Sequence, residues 1–394
     1  MEADRKTEEG YMRMALALAG KAEGKVSPNP MVGCVVVKEG RVIASGYHES
    51  YGGYHAERNA LLHCQEDTEG AELYVNLEPC CHYGKTPPCT DIILEKKLRK
   101  VYVGCLDPNP KVAGKGIKIL REHGVEVETG ILEEECRIFN EVFFHYMTEK
   151  MPFTAMKYAM TLDGKIACET GDSKWVTGTE ARAQVQRLRN RYRGIMAGIG
   201  TVLKDDPLLN CRMEGGKNPV RIICDSRLRI PANSQIVKTA GEIETVVAWN
   251  PRAAESYHSE SGHGIKGLQE LRAYLEGRGI ELLEVPLYTD AAVLGLDLRR
   301  LFAKLGEREI DSVLLEGGGT LNASALRERL VQRVYAFIAP KLVAGAEAKS
   351  PVEGEGICTM KDAVKLSKIQ IASFGEDFCI SGRIGEEELC LPES

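Results

Sequence analysis

No stretch of this chain stays apolar long enough to cross a bilayer and no signal peptide is recognisable, so a membrane span plays no part in the expected organisation and a cytoplasmic location is expected. A basic excess is also missing. Lys and Arg number 51 against 57 Asp and Glu, a net charge of -6, which argues against a nucleic-acid-binding surface and toward a small-molecule partner. Aromatics make up only 6% of the residues and do not interleave with basic ones, so a base-stacking platform is not expected either. There is no internal repeat and no low-complexity tract. The 13 cysteines are odd in number and scattered, which excludes a disulfide framework and fits a reducing compartment; most, such as Cys34, Cys105, Cys224 and Cys379, lie in apolar strand-like surroundings and read as small packing residues.

What the chain does have is a cluster of metal-competent side chains. His55-Ala56-Glu57 is followed by Pro79-Cys80-Cys81-His82-Tyr83-Gly84-Lys85-Thr86-Pro87-Pro88-Cys89. One imidazole from His55 and two thiolates from Cys80 and Cys89 leave the fourth tetrahedral position of a Zn2+ ion for water, which marks a catalytic rather than a structural site. Zinc lowers the pKa of its water to about 7. Glu57 reads as the non-ligand carboxylate that takes the proton from that water and passes it to a departing amine, the H-x-E and P-C arrangement of zinc deaminases. Deamination of a heterocyclic amine is the expected reaction. The alternative is a closed zinc knot with Cys81 or His82 as fourth ligand, but adjacent cysteines fit one tetrahedral ion poorly and a closed site gives Glu57 no role.

At 394 residues the chain is too long for one core, and the element pattern divides it. A helix over 9–22, a hairpin over 32–37 and 41–46, a helix opening at His55, a strand over 72–77, a helix after Pro87-Pro88 with Cys89 at its start, and strands over 101–105 and 125–128 describe a three-layer α/β domain, residues 1–147. Residues 148–152 read as a linker. The second domain, 151–394, again alternates, with strands over 153–157, 194–197, 220–224, 245–248 and 312–315 and a helix over 322–330; residues 256–267 read as a polar surface loop whose His258 and His263 have no metal spacing.

Two strand-to-helix turns of the second half suggest a dinucleotide. Glu316-Gly317-Gly318-Gly319-Thr320 and Gly198-Ile199-Gly200-Thr201 would let backbone N–H groups approach phosphate, although such turns also arise from packing alone. Asp225-Ser226-Arg227 follows a further strand, where a hydroxyl and a guanidinium suit a ribose 2'-phosphate and so NADPH; a solvated loop is the other reading. The arginines crowded into residues 182–193 form either an anion-binding face or only a solvated one, and Arg189 is singled out with Arg212 as a candidate clamp on a substrate phosphate.

Over nearly its whole length the chain resembles the bifunctional deaminase-reductases of riboflavin biosynthesis. The first half is similar to the diaminohydroxyphosphoribosylaminopyrimidine deaminase module through Asn29-Pro30-Met31-Val32-Gly33-Cys34, His55-Ala56-Glu57, the 80–89 segment and Asp107-Pro108-Asn109-Pro110; the second is similar to the dihydrofolate-reductase-like 5-amino-6-(5-phosphoribosylamino)uracil reductase through Thr161-Leu162-Asp163-Gly164-Lys165, Gly171-Asp172-Ser173-Lys174-Trp175, Gly200-Thr201, Asp205-Asp206-Pro207 and Glu316-Gly317-Gly318. Cys81 departs from the small polar residue frequent there. The resemblance implies a cytidine-deaminase-like zinc domain followed by a dihydrofolate-reductase-like domain, Zn2+ and NADPH as cofactors, a phosphoribosyl pyrimidine as substrate and a homo-oligomer. It implies that Asn29, His48, His82, Lys85, Asp107 and Asn109 hold substrate in the first site. In the second, Ser173, Arg189, Leu209, Arg212 and Glu316 would hold substrate, and Ala159, Trp175, Thr201, Asp205, Ser226, Gly318, Gly319 and Thr320 the cofactor; Lys157 and Asp163 lie nearby in the pattern.

Overall fold

The computed structural model describes residues 2–260, 264–288 and 295–385. Met12, Ala15 and Ala19, spaced along one helical stripe, bury α1 (Glu2–Ala19) against a sheet. Val-rich β1 (Gly33–Lys38) pairs antiparallel with β2 (Arg41–Tyr47) and, beyond α2 (Ala56–His63), with β3 (Glu72–Leu77). After α3 (Cys89–Glu95), β4 (Lys100–Cys105) joins parallel to β3; after α4 (Lys115–Glu122), β5 (Glu126–Thr129) joins parallel to β4, giving the order β2-β1-β3-β4-β5. Helices α5 (Glu133–Phe139) and α6 (Glu141–Glu149) complete the first unit, residues 1–150.

Two glycines show why this unit has three layers. Cys34 pairs with Gly46, so Gly33 points to the opposite face from Gly46. A Cβ on Gly33 would stand 2.1 Å from the Ala15 carbonyl oxygen of α1, and one on Gly46 would stand 2.6 Å from the Ala60 nitrogen of α2. Both helices therefore lie directly on the backbone of the β1-β2 hairpin, one on each side of it.

The second unit, residues 151–394, is built on a nine-stranded sheet. Its elements are β6 (Phe153–Thr161), α7 (Thr179–Arg191), β7 (Gly194–Gly198), α8 (Ile199–Asp205), β8 (Val220–Cys224), α9 (Gln235–Lys238), β9 (Thr245–Trp249), α10 (Pro251–Glu260), α11 (Gly264–Gly277), β10 (Ile280–Glu284), α12 (Leu298–Gly306), β11 (Ser312–Leu315), α13 (Gly319–Arg327), β12 (Arg333–Ala339), β13 (Leu366–Phe374) and β14 (Asp377–Ile384). The order is β10-β9-β8-β7-β11-β6-β12-β14-β13, parallel from β10 through β12 and antiparallel in the last two strands. Strands β9 and β11 are buried at every position, as a parallel sheet covered on both faces requires. The chain returns to place β11 between β7 and β6, so the carboxyl ends of those strands form the switch point where open α/β sheets bind ligands.

Several boundaries differ from the sequence expectation. Residues 148 and 149 end α6 rather than starting a linker, and the turn is made at Lys150 with φ 56°. The loop expected over 256–267 is helical at both ends, α10 running to Glu260 and α11 starting at Gly264, and His263 lies outside the described residues. His258 is buried, with Nε2 3.1 Å from the Leu228 carbonyl oxygen, so its burial in tertiary packing overrides the polar look of the segment. Strands β10, β12, β13 and β14 lie beyond the strands read from sequence.

Candidate active sites

The first site assembles where β3 ends and two helices begin. His55 is the N-cap of α2, Cys89 is the first residue of α3, and Cys80 follows β3. Their ligand atoms all lie within 4.8 Å of one another. Cys80 Sγ stands 3.4 Å and Cys89 Sγ 3.5 Å from His55 Nδ1. Tetrahedral zinc with ordinary Zn–S and Zn–N bonds places sulfur and nitrogen about 3.6 Å apart, so the three groups fit the ion. The Cys80 thiol is held well below its ordinary pKa, first by its hydrogen bond with Cys89 and, against the effect of burial, by His55, which favours the thiolate that a metal needs. Cys81 points elsewhere, toward the Lys111 carbonyl oxygen at 3.8 Å.

Glu57 sits in the first turn of α2, 3% exposed, and its Oε2 has no hydrogen-bond partner. Burial, reinforced by the Cys80 charge, pushes its carboxyl above the usual range. A buried carboxylate with one free oxygen beside three metal-ligand atoms has the form of a proton carrier.

A cavity of about 230 Å³ opens beside these groups, and Asn29, His48, His82, Lys85, Asp107 and Asn109 all line it. His48 lies 2.9 Å from the Tyr54 carbonyl oxygen through Nδ1 and 3.1 Å from Asn29 Nδ2 through Nε2. Since a carbonyl only accepts and an amide nitrogen only donates, His48 is neutral with its proton on Nδ1, and burial lowers its pKa accordingly. Burial raises Asp107 to about 7, against the Asn109 amide hydrogen bond that favours its ionised form.

Sequence reasoning missed two supporting residues here. Glu78 is buried, and its carboxylate accepts from the backbone N–H groups of Asp107, Gly114, Gly116 and Ile117 at 2.9–3.3 Å, tying down the loop that carries Asp107 and Asn109. Its place inside the strand-to-cysteine run, Leu77-Glu78-Pro79-Cys80, is the only signal. Tyr51 lies under Lys85, whose Nζ is 3.7 Å from the ring centroid.

The second site occupies two adjoining cavities at the switch point, of about 530 and 340 Å³. Ser173, Thr201, Asp205, Gly318 and Gly319 line both. The larger also meets Ser226 and Thr320 and the N-termini of α8 and α13; the smaller meets Ala159, Trp175, Arg189, Leu209, Arg212 and Glu316. Gly319 must be glycine, because a Cβ there would stand 2.5 Å from Glu353 and 2.8 Å from the Ser350 carbonyl oxygen.

Three details depart from the sequence reading. Arg227 does not line either cavity; Arg229 does, beside Ser226, with Nε lacking a hydrogen-bond partner and 3.8 Å from Asp225 Oδ1. Leu228 takes the left-handed conformation with φ 49° and is fully buried, a turn that no local pattern announces. Arg189 is not a free clamp: it donates to both oxygens of Glu316 at 2.7 and 2.9 Å and to the Asn210 carbonyl oxygen at 3.0 Å, while Lys157 Nζ stands 3.6 Å from Glu316. Asp163 binds backbone, accepting from the Ala344 N–H at 2.7 Å. Lys204 and Lys349, neither singled out from sequence, add positive charge to the larger cavity.

Fold and sites together define a zinc-type deaminase joined to a dihydrofolate-reductase-like reductase. Residues 5–105 match the cytidine and deoxycytidylate deaminase zinc-binding region, and residues 152–380 match the RibD C-terminal domain. The chain is 50% identical over 374 residues to the riboflavin biosynthesis protein RibD of Actinobacillus pleuropneumoniae, covering 95% of this chain and 94% of that one. It is similar to the crystal structure of a diaminohydroxyphosphoribosylaminopyrimidine deaminase/5-amino-6-(5-phosphoribosylamino)uracil reductase from Thermotoga maritima, with a TM-score of 0.80 and 36% identity over 97% of this chain and 100% of that one. It is likewise similar to Acinetobacter baumannii RibD, with a TM-score of 0.82 and 33% identity over the same shares of the two chains. The chain belongs to the bifunctional deaminase-reductase family of riboflavin biosynthesis, with zinc and NADPH as the cofactors that family membership implies. Among the described residues no helix is long and apolar enough to cross a membrane.

Proposed function

We propose that the first cavity deaminates 2,5-diamino-6-(5-phosphoribosylamino)pyrimidin-4-one and that the second reduces the ribosyl group of the product to ribityl, giving 5-amino-6-(5-phosphoribitylamino)uracil. The observation that carries the first assignment is the Glu57 carboxylate, its Oε2 without a hydrogen-bond partner, beside the His55, Cys80 and Cys89 set. Zinc held there supplies Lewis-acid activation of a water molecule near neutral pH. Glu57 would take onto its free oxygen the proton released as the water oxygen bonds to the amine-bearing ring carbon, and return it to the amine, whose C–N bond breaks so that ammonia leaves. Asn29, with one Nδ2 hydrogen committed to His48, keeps its Oδ1 and a second hydrogen for the pyrimidine edge. His48, His82, Lys85, Asp107 and Asn109 line the same cavity and would hold the pyrimidine and the ribose phosphate with it.

In the second site bound NADPH would supply hydride to the opened form of the ribosyl unit, with the accompanying proton from solvent, and the protein's part is positioning. The N-termini of α8 and α13 offer backbone N–H groups to the pyrophosphate, and Ser226 with Arg229 faces the 2'-phosphate. The Lys157-Glu316-Arg189 group leaves one net positive charge against the substrate, with Arg212 exposed at the rim of the same cavity.

A homo-oligomer accords with β13, an edge strand with Ile369 57% and Ile371 70% exposed, a face that a second copy would cover. Light scattering at micromolar protein checks it. A cytoplasmic setting accords with the twelve described cysteines, all of them free.

The test mixes zinc-loaded protein with the phosphoribosylaminopyrimidine and follows ammonia with and without NADPH, and NADPH oxidation in the same samples. Ammonia release followed by substrate-dependent NADPH oxidation is expected. Ammonia alone would leave the second unit a binding domain, and absence of both would overturn the assignment.

A further inference from the structure

Trp175 is anomalous. It lines the smaller reductase cavity, yet 64% of it is exposed, and it stands in the connection between β6 and α7, where residues 162–178 form neither helix nor strand. An aromatic ring held open to water beside a cavity gains from a ligand that covers it, but only if the backbone that carries it is anchored.

The anchor is Lys341. This residue follows β12 and donates from Nζ to two consecutive carbonyl oxygens, those of Trp175 and Val176, at 2.9 Å each. Arg182, from the first turns of α7, places its guanidinium carbon 4.5 Å from the centre of the Trp175 ring and donates to the Thr177 carbonyl oxygen. Asp377 accepts from the Gly178 N–H at 2.6 Å. The same two loops meet again through the Leu162 N–H and the Lys341 carbonyl oxygen, and through the Ile166 N–H and the Lys349 carbonyl oxygen. Residues 162–178 and 340–352 thus form one wall of the site, and Lys341 is its only ammonium that spans to the Trp175 backbone among the described residues.

We infer that Lys341 is a positioning residue for cofactor binding: its ammonium holds the Trp175 segment in the conformation that lets the indole cover bound NADPH. This rests on the reading of Trp175 as part of the cofactor site. Both carbonyls that Lys341 binds are near solvent and take water when the ammonium is removed, so the fold loses little. What is lost is the ordering of the segment before the ligand arrives, and NADPH must then supply it.

The chain has two tryptophans, and Trp249 is only 1% exposed, so collisional quenching by acrylamide reports Trp175. In the full-length, zinc-loaded protein, saturating NADPH protects Trp175 from quenching. Lys341→Met raises KM for NADPH about tenfold and leaves kcat within about twofold, and Lys341→Arg, which keeps two donors, restores most of the difference. Protection in Lys341→Met then requires correspondingly more NADPH. A general loss of folding would instead lower kcat at unchanged KM and would not be rescued by arginine. If wild-type protein shows no protection by NADPH, the placement of Trp175 in the cofactor site fails and this inference with it. If protection is present but Lys341→Met matches wild type in KM and quenching, the inference alone fails.

Discussion

Arg189 and Glu316 form a two-point pair under the smaller reductase cavity, Nε to Oε1 at 2.7 Å and Nη2 to Oε2 at 2.9 Å. Burial alone would raise the Glu316 carboxyl, but the Arg189 and Lys157 charges outweigh it and hold its pKa at about 2. The folded state therefore prefers the ionised carboxylate. Its contribution, on the order of 3 kcal/mol, is present in full above the unfolded carboxylate value of about 4.3 and is lost as pH falls toward 2.

Replacing Glu316 by Gln should thus cost stability at pH 7 and cost progressively less below pH 4. Urea unfolding of both proteins at several pH values reads this directly. A gap between them that does not narrow in acid would show that the charge pair is not its source.

Glu57→Gln keeps the shape of the side chain and removes its basicity. Deamination should fall by about 10²–10⁴-fold while bound zinc and the reduction of deaminated substrate persist. Metal content, ammonia release and NADPH oxidation measured on one preparation check all three; a variant that still deaminates would take Glu57 out of proton transfer.

Cys89→Ser weakens one of three protein ligands and should release zinc to a mild chelator far more readily than wild type. Deamination is expected to disappear with the metal before the circular dichroism of the protein changes. Unfolding that coincides with metal loss would instead mark the ion as structural.

Arg229→Gln should raise KM for NADPH about tenfold or more, since guanidinium binds phosphate at two points, and should leave KM for NADH unchanged. Arg227→Gln, whose side chain lines neither cavity, serves as the matched control. Equal effects on the two cofactors would remove Arg229 from 2'-phosphate recognition.

The candidate metal cluster was legible in the chain because its side chains are few, chemically distinctive and placed at element boundaries that local patterns reveal: His55 before a helix, Cys80 after a strand, Cys89 after two prolines. The reductase site was legible only in part. Its glycine turns could be read, but which arginine enters the cavity depends on the left-handed turn at Leu228, and whether Arg189 is free depends on Glu316, 127 residues away.

By itself, then, the amino-acid sequence determined the two α/β units and pointed to the His55, Cys80 and Cys89 cluster with Glu57 beside it, because periodicity and ligand chemistry act over short spans of chain. The tertiary structure decided which charges neutralise one another, that Glu78 braces the Asp107 loop, and that Lys341 reaches the Trp175 backbone 166 residues away. Those pairings follow from the strand order, and above all from β11 returning between β7 and β6 and β12 taking the far side of β6; hydrogen bonds and charges act over a few ångströms, so only that folding brings these groups within range.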